Sequence, residues 1–352
     1  MEYKKEIEQL VSTVINEGAS DLHLAVGRTP IVRVTGSLIP LVKKSVLTDT
    51  DLKGFLDIFL SERNKKILEE EKNVDFSYSL TEARFRGNAF YRQGSLSIAL
   101  RLIPKVIRTL AELNLPPILE TFTRRQQGFF LCVGPIGQGK TTTLSSLIEI
   151  INQTRAEHIL TIEDPIEYLH ESKKSIIDQR EVGIDTPSFH DALVSMFRED
   201  IDVCLLGEMR DIPTISTAVT AAETGHLVFS TLHTNNAAQT INRIIDSFPP
   251  SQQDQIRVQI AGSLTGIFSQ RLIPRVSGGL IPAYELLINN SAISNLIREK
   301  RIHEINTIIE TSSGDGMIDL NRSLAELVRA GEITVESAYL NSLNPKNLER
   351  MI

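Results

Sequence analysis

The run GPIGQGKT, Gly134 to Thr141, decides how this chain is read. It fits the pattern G-x-x-x-x-G-K-[ST], and its setting gives the pattern meaning. The apolar strand-like run FFLCV (Phe129 to Val133) precedes it. A helical stretch follows, whose Leu144, Leu147, Ile148 and Ile151 fall on one face. Strand, glycine-rich loop and helix in that order form a phosphate cradle. Gly134, Gly137 and Gly139 let the backbone curl so that its N–H groups point inward, and the helix N-terminus adds partial positive charge. The expected nucleotide-binding set is Gly134, Pro135, Gly137, Gln138, Gly139, Lys140, Thr141 and Thr142. Lys140 can reach the β- and γ-phosphates of ATP, and the Thr141 hydroxyl can hold Mg²⁺.

Outward from the loop, short apolar runs alternate with helical stretches. HILTI, VCLLG and LVFSTL are separated by FHDALVSMF and ISTAVTAAE. Fully apolar runs suit strands buried on both faces, and the alternation predicts a largely parallel α/β sheet. Ligands in such sheets sit at the carboxyl ends of strands. Glu163, with Asp164 beside it, ends one run, and Glu208 follows another by way of Gly207. Nucleotide hydrolysis needs one group to support the metal and another to orient or deprotonate water. Two strand-end acids can supply both, although such a glutamate also serves ordinarily as a helix cap or surface charge. Glu163 is assigned to the water and Glu208 to Mg²⁺, with the reverse order left open. His226 precedes the run LVFSTL and His233 ends it. Each is expected near the nucleotide, His226 as a catalytic group and His233 as a sensor of the γ-phosphate, against the commoner fate of a packed or capped histidine.

Upstream, Ile7, Leu10, Val11, Val14 and Ile15 recur at helical spacing, and Glu17-Gly18 ends that helix. DLHLAVG (21–27) and IVRVTG (31–36) read as strands, 48–71 as helical, and VDFSYSL (74–80) with 84–103 as an antiparallel meander. Arg84 and Arg86 are two apart on a strand and share a sheet face. Arg101 lies near the end of the meander. Pro104, Pro116 and Pro117 frame a linker. The expected organisation is 1–103, linker 104–117, and 118–352. Beyond about residue 250 the chain reads as mostly helical, with one strand-like run, GLIPAYELLI (Gly279 to Ile288). Near its end, Ala292, Ile293, Leu296 and Ile297 form one helical face, with Ser294, Asn295, Arg298 and Glu299 away from it.

The chain has 352 residues, 41% hydrophobic and 23% charged, with 37 Lys+Arg against 44 Asp+Glu, a net charge of −7. That balance excludes disorder and argues against a nucleic-acid coat or translocase, which draws its affinity from phosphate contacts. No platform of interleaved aromatic and basic residues offers itself for base stacking. Two cysteines, both in apolar runs, suit a reducing compartment. The N-terminus lacks a signal-peptide core, and no run of about 18 apolar residues appears. A cytoplasmic location is expected, with any membrane association peripheral.

Taken together, GPIGQGKTTT as Walker A, TIEDPIEY as an aspartate box, EDIDVCLLGEMRD as an atypical Walker B ending in Glu, and TGHLVFSTLHT as a histidine box resemble the secretion ATPase superfamily. Within it, the chain is similar to the PilT-like type IV pilus retraction motors. SDLHL (20–24) and RFRGNAF (84–90) resemble their N-terminal PAS-like domain. AISNLIRE (292–299) resembles their AIRNLIRE motif, with Ser294 where the family carries Arg. The resemblance implies a PAS-like α+β domain followed by a RecA-like ATPase domain with a helical C-terminal part. It also implies a homohexamer at the inner face of the cytoplasmic membrane, working on an inner-membrane platform protein of the pilus machinery, and ATP lying between domains. Arg84, Arg86 and above all Arg101 would then face the phosphate tail, Arg101 in the manner of an arginine finger. The alternatives are an accessory retraction motor, or a type II secretion or pilus extension ATPase. The last two are disfavoured because the chain shows neither a long extra N-terminal domain nor a four-cysteine zinc site.

Overall fold

A computed structural model describes residues 2–34, 36–80, 83–103 and 106–352. Thr35 of one expected strand, and Pro104 and Lys105 of the expected linker, lie outside them. Two compact units are present, Met1–Val106 with Glu167–Leu169, and Ile107–Ile166 with His170–Ile352.

The first unit holds strands β1 (Asp21–Ala25), β2 (Ile31–Val34), β3 (Ser37–Pro40), β4 (Asn73–Ser79), β5 (Arg84–Arg92) and β6 (Ser95–Ile103). They form one antiparallel sheet in the order β3-β2-β1-β6-β5-β4. The expected meander is present as β4-β5-β6, and β1 pairs with β6 to extend it. Helices Glu2–Asn16 and Asp49–Phe59 supply Val14, Phe55 and Phe59 to a core shared with Leu22 and Phe85. The helical stretch expected over 48–71 is two helices. Thr48 and Asp51 form a capping box for the first, and Ser61 caps the second, Glu62–Glu71.

The second unit holds β7 (Gly128–Val133), β8 (His158–Glu163), β9 (Ile176–Glu181), β10 (Val203–Leu206), β11 (Leu227–Leu232), β12 (Leu264–Pro274) and β13 (Leu280–Ile288), in the order β13-β12-β7-β11-β10-β8-β9. Only β13 runs antiparallel to its neighbour. Every residue of β7, β10 and β11 is buried, as their apolar runs predict. Alternate residues of β7 feed two cores. Phe130 and Cys132 pack with the helix Lys140–Thr154, while Phe129, Leu131 and Val133 join a core with the helices Ile212–Glu223, Ala237–Asp246 and Pro250–Ser263. Both cysteines are free, and burial pushes their thiols up to about 12, so they are inert packing groups.

Three expectations hold only in part. The chain beyond residue 250 is mostly helical but carries two strands, because the eleven-residue β12, paired with β7 and β13, follows the helix Pro250–Ser263 without a break. Residues 107–117 are not a free linker. Leu110 and Leu115 are buried in the second unit's core, and the Arg108 carbonyl accepts the Ser146 hydroxyl at 2.6 Å. In the helix Ser291–Arg298, Ala292 is exposed, whereas Ser294 is partly buried and donates to the Ala261 carbonyl at 2.8 Å. No helix among the described residues is long and apolar enough to cross a membrane.

Candidate nucleotide site

The parallel register brings the carboxyl ends of β7, β11, β10 and β8 to one edge of the second unit's sheet. The loop Gly134–Gly139 leaves β7 there. Gly134 has φ 145°, and a Cβ on it would strike the Gln270 carbonyl, so no other residue fits. Gly139 stands at the N-cap of the helix Lys140–Thr154 and offers no side-chain cap. An anion suits the N–H groups at such a helix start.

Lys140 is 7% exposed. Its Nζ donates to the carbonyls of Gly134 and Pro135, each at 2.9 Å, and lies 3.2 Å from His233 Nδ1. An ammonium has only donors, so Nδ1 presents its lone pair and the ring proton belongs on Nε2. Nε2 lies 3.7 Å from Glu208 Oε2, and the other Glu208 oxygen pairs with Arg210. Burial, then the Lys140 charge, pull the His233 pKa below its ordinary value against the opposing pull of Glu208. His233 is thus neutral at pH 7, linking the loop lysine to the Glu208 carboxylate. The Gly207 carbonyl accepts the Thr231 hydroxyl at 2.6 Å, which fixes the strand end that carries Glu208.

Glu163 ends β8 and is buried. Its Oε1 accepts from Thr161 Oγ1 at 2.7 Å and from Gln179 Nε2 at 3.2 Å. The chain leaves it through a cis Asp164–Pro165 peptide. Beside the loop a cavity of about 530 Å³ opens, with Ile136, Glu208, Arg210, His233, Asn235 and Arg243 in its wall.

His226 stands away from this cluster. It precedes β11, beside Gly128 at the start of β7, so it occupies the edge of the sheet opposite the loop. A six-residue strand separates it from His233 by about 20 Å at ~3.3 Å per residue. Its Nδ1 lies 3.1 Å from the Ala221 carbonyl and its ring meets Phe197 edge-on. Within one chain it takes no part in the phosphate site.

Arg84, Arg86 and Arg101 belong to the first unit. Arg86 and Arg101 are direct cross-strand partners, and Arg101 faces Asp21 on its other side. Arg101 Nε donates to Asp21 Oδ1 at 2.9 Å. Burial raises the Asp21 carboxyl, but the Ser20 hydroxyl and Arg101 outweigh it and hold it below its usual value. Arg33, Asp21, Arg101 and Arg86 form one row across four strands, three cations to one carboxylate.

Sequence reasoning missed the residue that anchors the loop. Gln270 on β12 donates through Nε2 to the Gln138 carbonyl at 2.8 Å and accepts the Thr143 hydroxyl at 2.7 Å. The next backbone amide but one, that of Leu272, donates to Gln138 Oε1 at 2.6 Å. Gln138 and Thr143 thus owe their placement to a strand more than 120 residues away. Its apolar stretch LTGIF was the one available signal.

Among the described residues no group of three His, Cys, Asp or Glu gathers to hold a metal.

Residues 2–279 match the type II/IV secretion system protein family. A protein of Pseudomonas aeruginosa named "Type IV pilus retractation ATPase PilT" is 40% identical over 343 residues, covering 97% of this chain and 99% of the relative. A "Twitching motility protein" of Neisseria gonorrhoeae is 42% identical, over 91% and 86%. The crystal structure of the pilus retraction motor PilT with bound ADP superposes with a TM-score of 0.92 at 46% identity, over 97% and 98%.

Proposed function

The chain belongs to the type II/IV secretion system protein family, and within it we propose that the protein is a motor ATPase of type IV pilus retraction, hydrolysing ATP to drive twitching motility. Near-complete length likeness to proteins of those names supports the reading. The observation that carries it is the chain Lys140–His233–Glu208 laid against the phosphate loop.

The chemistry follows from these groups. The triphosphate enters the loop, and its oxygens take the N–H groups of the helix start. Lys140 exchanges the Gly134 and Pro135 carbonyls for the β- and γ-phosphates. His233, neutral and with a proton on Nε2, reports whether the γ-phosphate is present. Glu163 orients the attacking water, its carboxylate steadied by Thr161 and Gln179. Thr141, and Glu208 through a water shell, would hold Mg²⁺, which neutralises phosphate charge when bound. Arg101, Arg86 and Arg84 would supply charge that stabilises the transition state, with Arg101 and Arg86 in the row of three cations around Asp21.

We read the first unit as PAS-like and the second as RecA-like with a helical C-terminal part. The working form is a homohexamer that pushes or rotates an inner-membrane platform protein from the cytoplasmic face. The test is a clean deletion strain scored for pili and surface motility. Hyperpiliated, non-twitching cells restored by the wild-type gene support retraction, and bald cells contradict it.

A further inference from the structure

Strand β12 reaches the two halves of the nucleotide site from its two faces. Gln270 turns to the phosphate loop. Ser269 and Arg271, one residue to either side, point the other way and reach the turn that follows His233. Ser269 Oγ donates to the Asn235 carbonyl at 2.9 Å, and Arg271 Nη2 lies 3.4 Å from Asn235 Oδ1. Directly opposite Ser269, on β13, stands Glu285. Its Oε1 accepts the Ala237 N–H at 2.7 Å. Ala237 opens the helix Ala237–Asp246, where a carboxylate meets the favourable end of the helix dipole. Three side chains of one hairpin therefore hold the segment 235–237, and His233 lies two residues before it.

We infer that Glu285 is a positioning residue for ATP hydrolysis, holding Ala237 and the Asn235–Asn236 turn so that His233 stays directed at Lys140 and Glu208. The inference rests on the ATPase reading above and adds to it a group that acts through the backbone of Ala237.

Glu285 is 6% exposed. The charged groups around it are Arg271 from β12, Asp319 at the start of the helix Leu320–Arg329, and Glu310 from the helix Ile305–Thr311. Asp319 and Glu310 share with Glu285 a cavity of about 270 Å³. Burial pushes the Glu285 carboxyl up to about 7, against the Ala237 N–H, with Asp319 adding to the rise and Arg271 opposing it. Above that pH the group is ionised, accepts strongly from Ala237 and attracts Arg271. Below it the protonated group accepts weakly and loses Arg271, and the clamp loosens. His233 titrates below its ordinary value and so on the acid side of this step.

The experiment measures kcat and KM for ATP with the full-length protein between about pH 5.5 and 8.5. Wild-type kcat should fall as pH drops through about 7. Glu285→Gln keeps the shape and removes the charge, so kcat at the alkaline end should drop about 3- to 10-fold, the difference between a charged and a neutral hydrogen bond. KM should stay within about twofold, and the step near 7 should vanish. Ser269→Ala removes one bond to the same turn and should lower kcat less, with the step retained. A folded Glu285→Gln protein with wild-type kcat and an unchanged pH step overturns the inference. If that variant does not fold, wild-type kcat in Ser269→Ala overturns it instead. Absence of ATP turnover in the wild-type protein refutes the ATPase reading, and the inference with it.

Discussion

Replacing Gln270 by alanine should damage the nucleotide site from a distance. Gln270 is almost fully buried and makes two side-chain bonds, to the Gln138 carbonyl and from the Thr143 hydroxyl. Gln138 is partly exposed and water can replace its lost partner. Thr143 is 1% exposed and cannot be rescued in that way. A stranded buried hydroxyl costs about 1–3 kcal/mol, and the space left by the glutamine stem adds about 1 kcal/mol. The sum is about 2–4 kcal/mol. At roughly 2–4 °C per kcal/mol for a domain of this size, the unfolding transition of the second unit should fall by about 5–15 °C. ADP affinity should fall about tenfold, because the loop loses the anchor that holds Gln138. Calorimetry of the full-length variant and titration with a fluorescent ADP analogue measure both. The double variant Gln270→Ala with Thr143→Ala removes the orphan as well, so its loss should be smaller than the sum of the single losses by about 1 kcal/mol. A transition within about 2 °C of wild type, with unchanged ADP affinity, would refute the account of how the loop is held.

Glu163→Gln should bind ATP and fail to cleave it, because the amide keeps the shape and loses the base; Glu208→Gln should lose metal dependence first. Trapped ATP in Glu208→Gln together with normal turnover in Glu163→Gln reverses the two roles. Gly134→Ala should yield little folded protein or none that binds ADP, since its Cβ meets the Gln270 backbone, as dialysis with labelled ADP would reveal. Mixing inactive Lys140→Ala and Arg101→Ala proteins should restore part of the ATP turnover if Arg101 serves a neighbouring subunit. No recovery in rings shown to exchange subunits places Arg101 elsewhere.

The phosphate half of the site was legible in the sequence because its signals are local. β7 is six apolar residues ending at a glycine-rich loop, and the helix after it shows its buried face by spacing. Glu163 and Glu208 could be placed because each closes an apolar run. β12 was illegible for a physical reason. Its Thr265, Ser269 and Gln270 are polar yet buried, so they break the alternation a strand should show. Leu264, which caps the preceding helix, is already the first residue of the strand, so no turn residue marks the change. β3 and β9 escaped because edge strands carry little burial pattern, and all four residues of β3 are exposed. The placement of His226 was recoverable in principle. Six strand residues between two histidines put them at opposite edges by rise alone.

The account stands most directly on Lys140, whose ammonium is buried at the loop and which we propose supplies charge to the γ-phosphate. Steady-state ATP turnover by purified Lys140→Ala, beside wild type and with its fold verified by circular dichroism, is the measurement. Loss of turnover to background with an intact fold is the predicted result. Turnover at the wild-type rate by the folded variant would contradict the assignment of this loop as the site of hydrolysis.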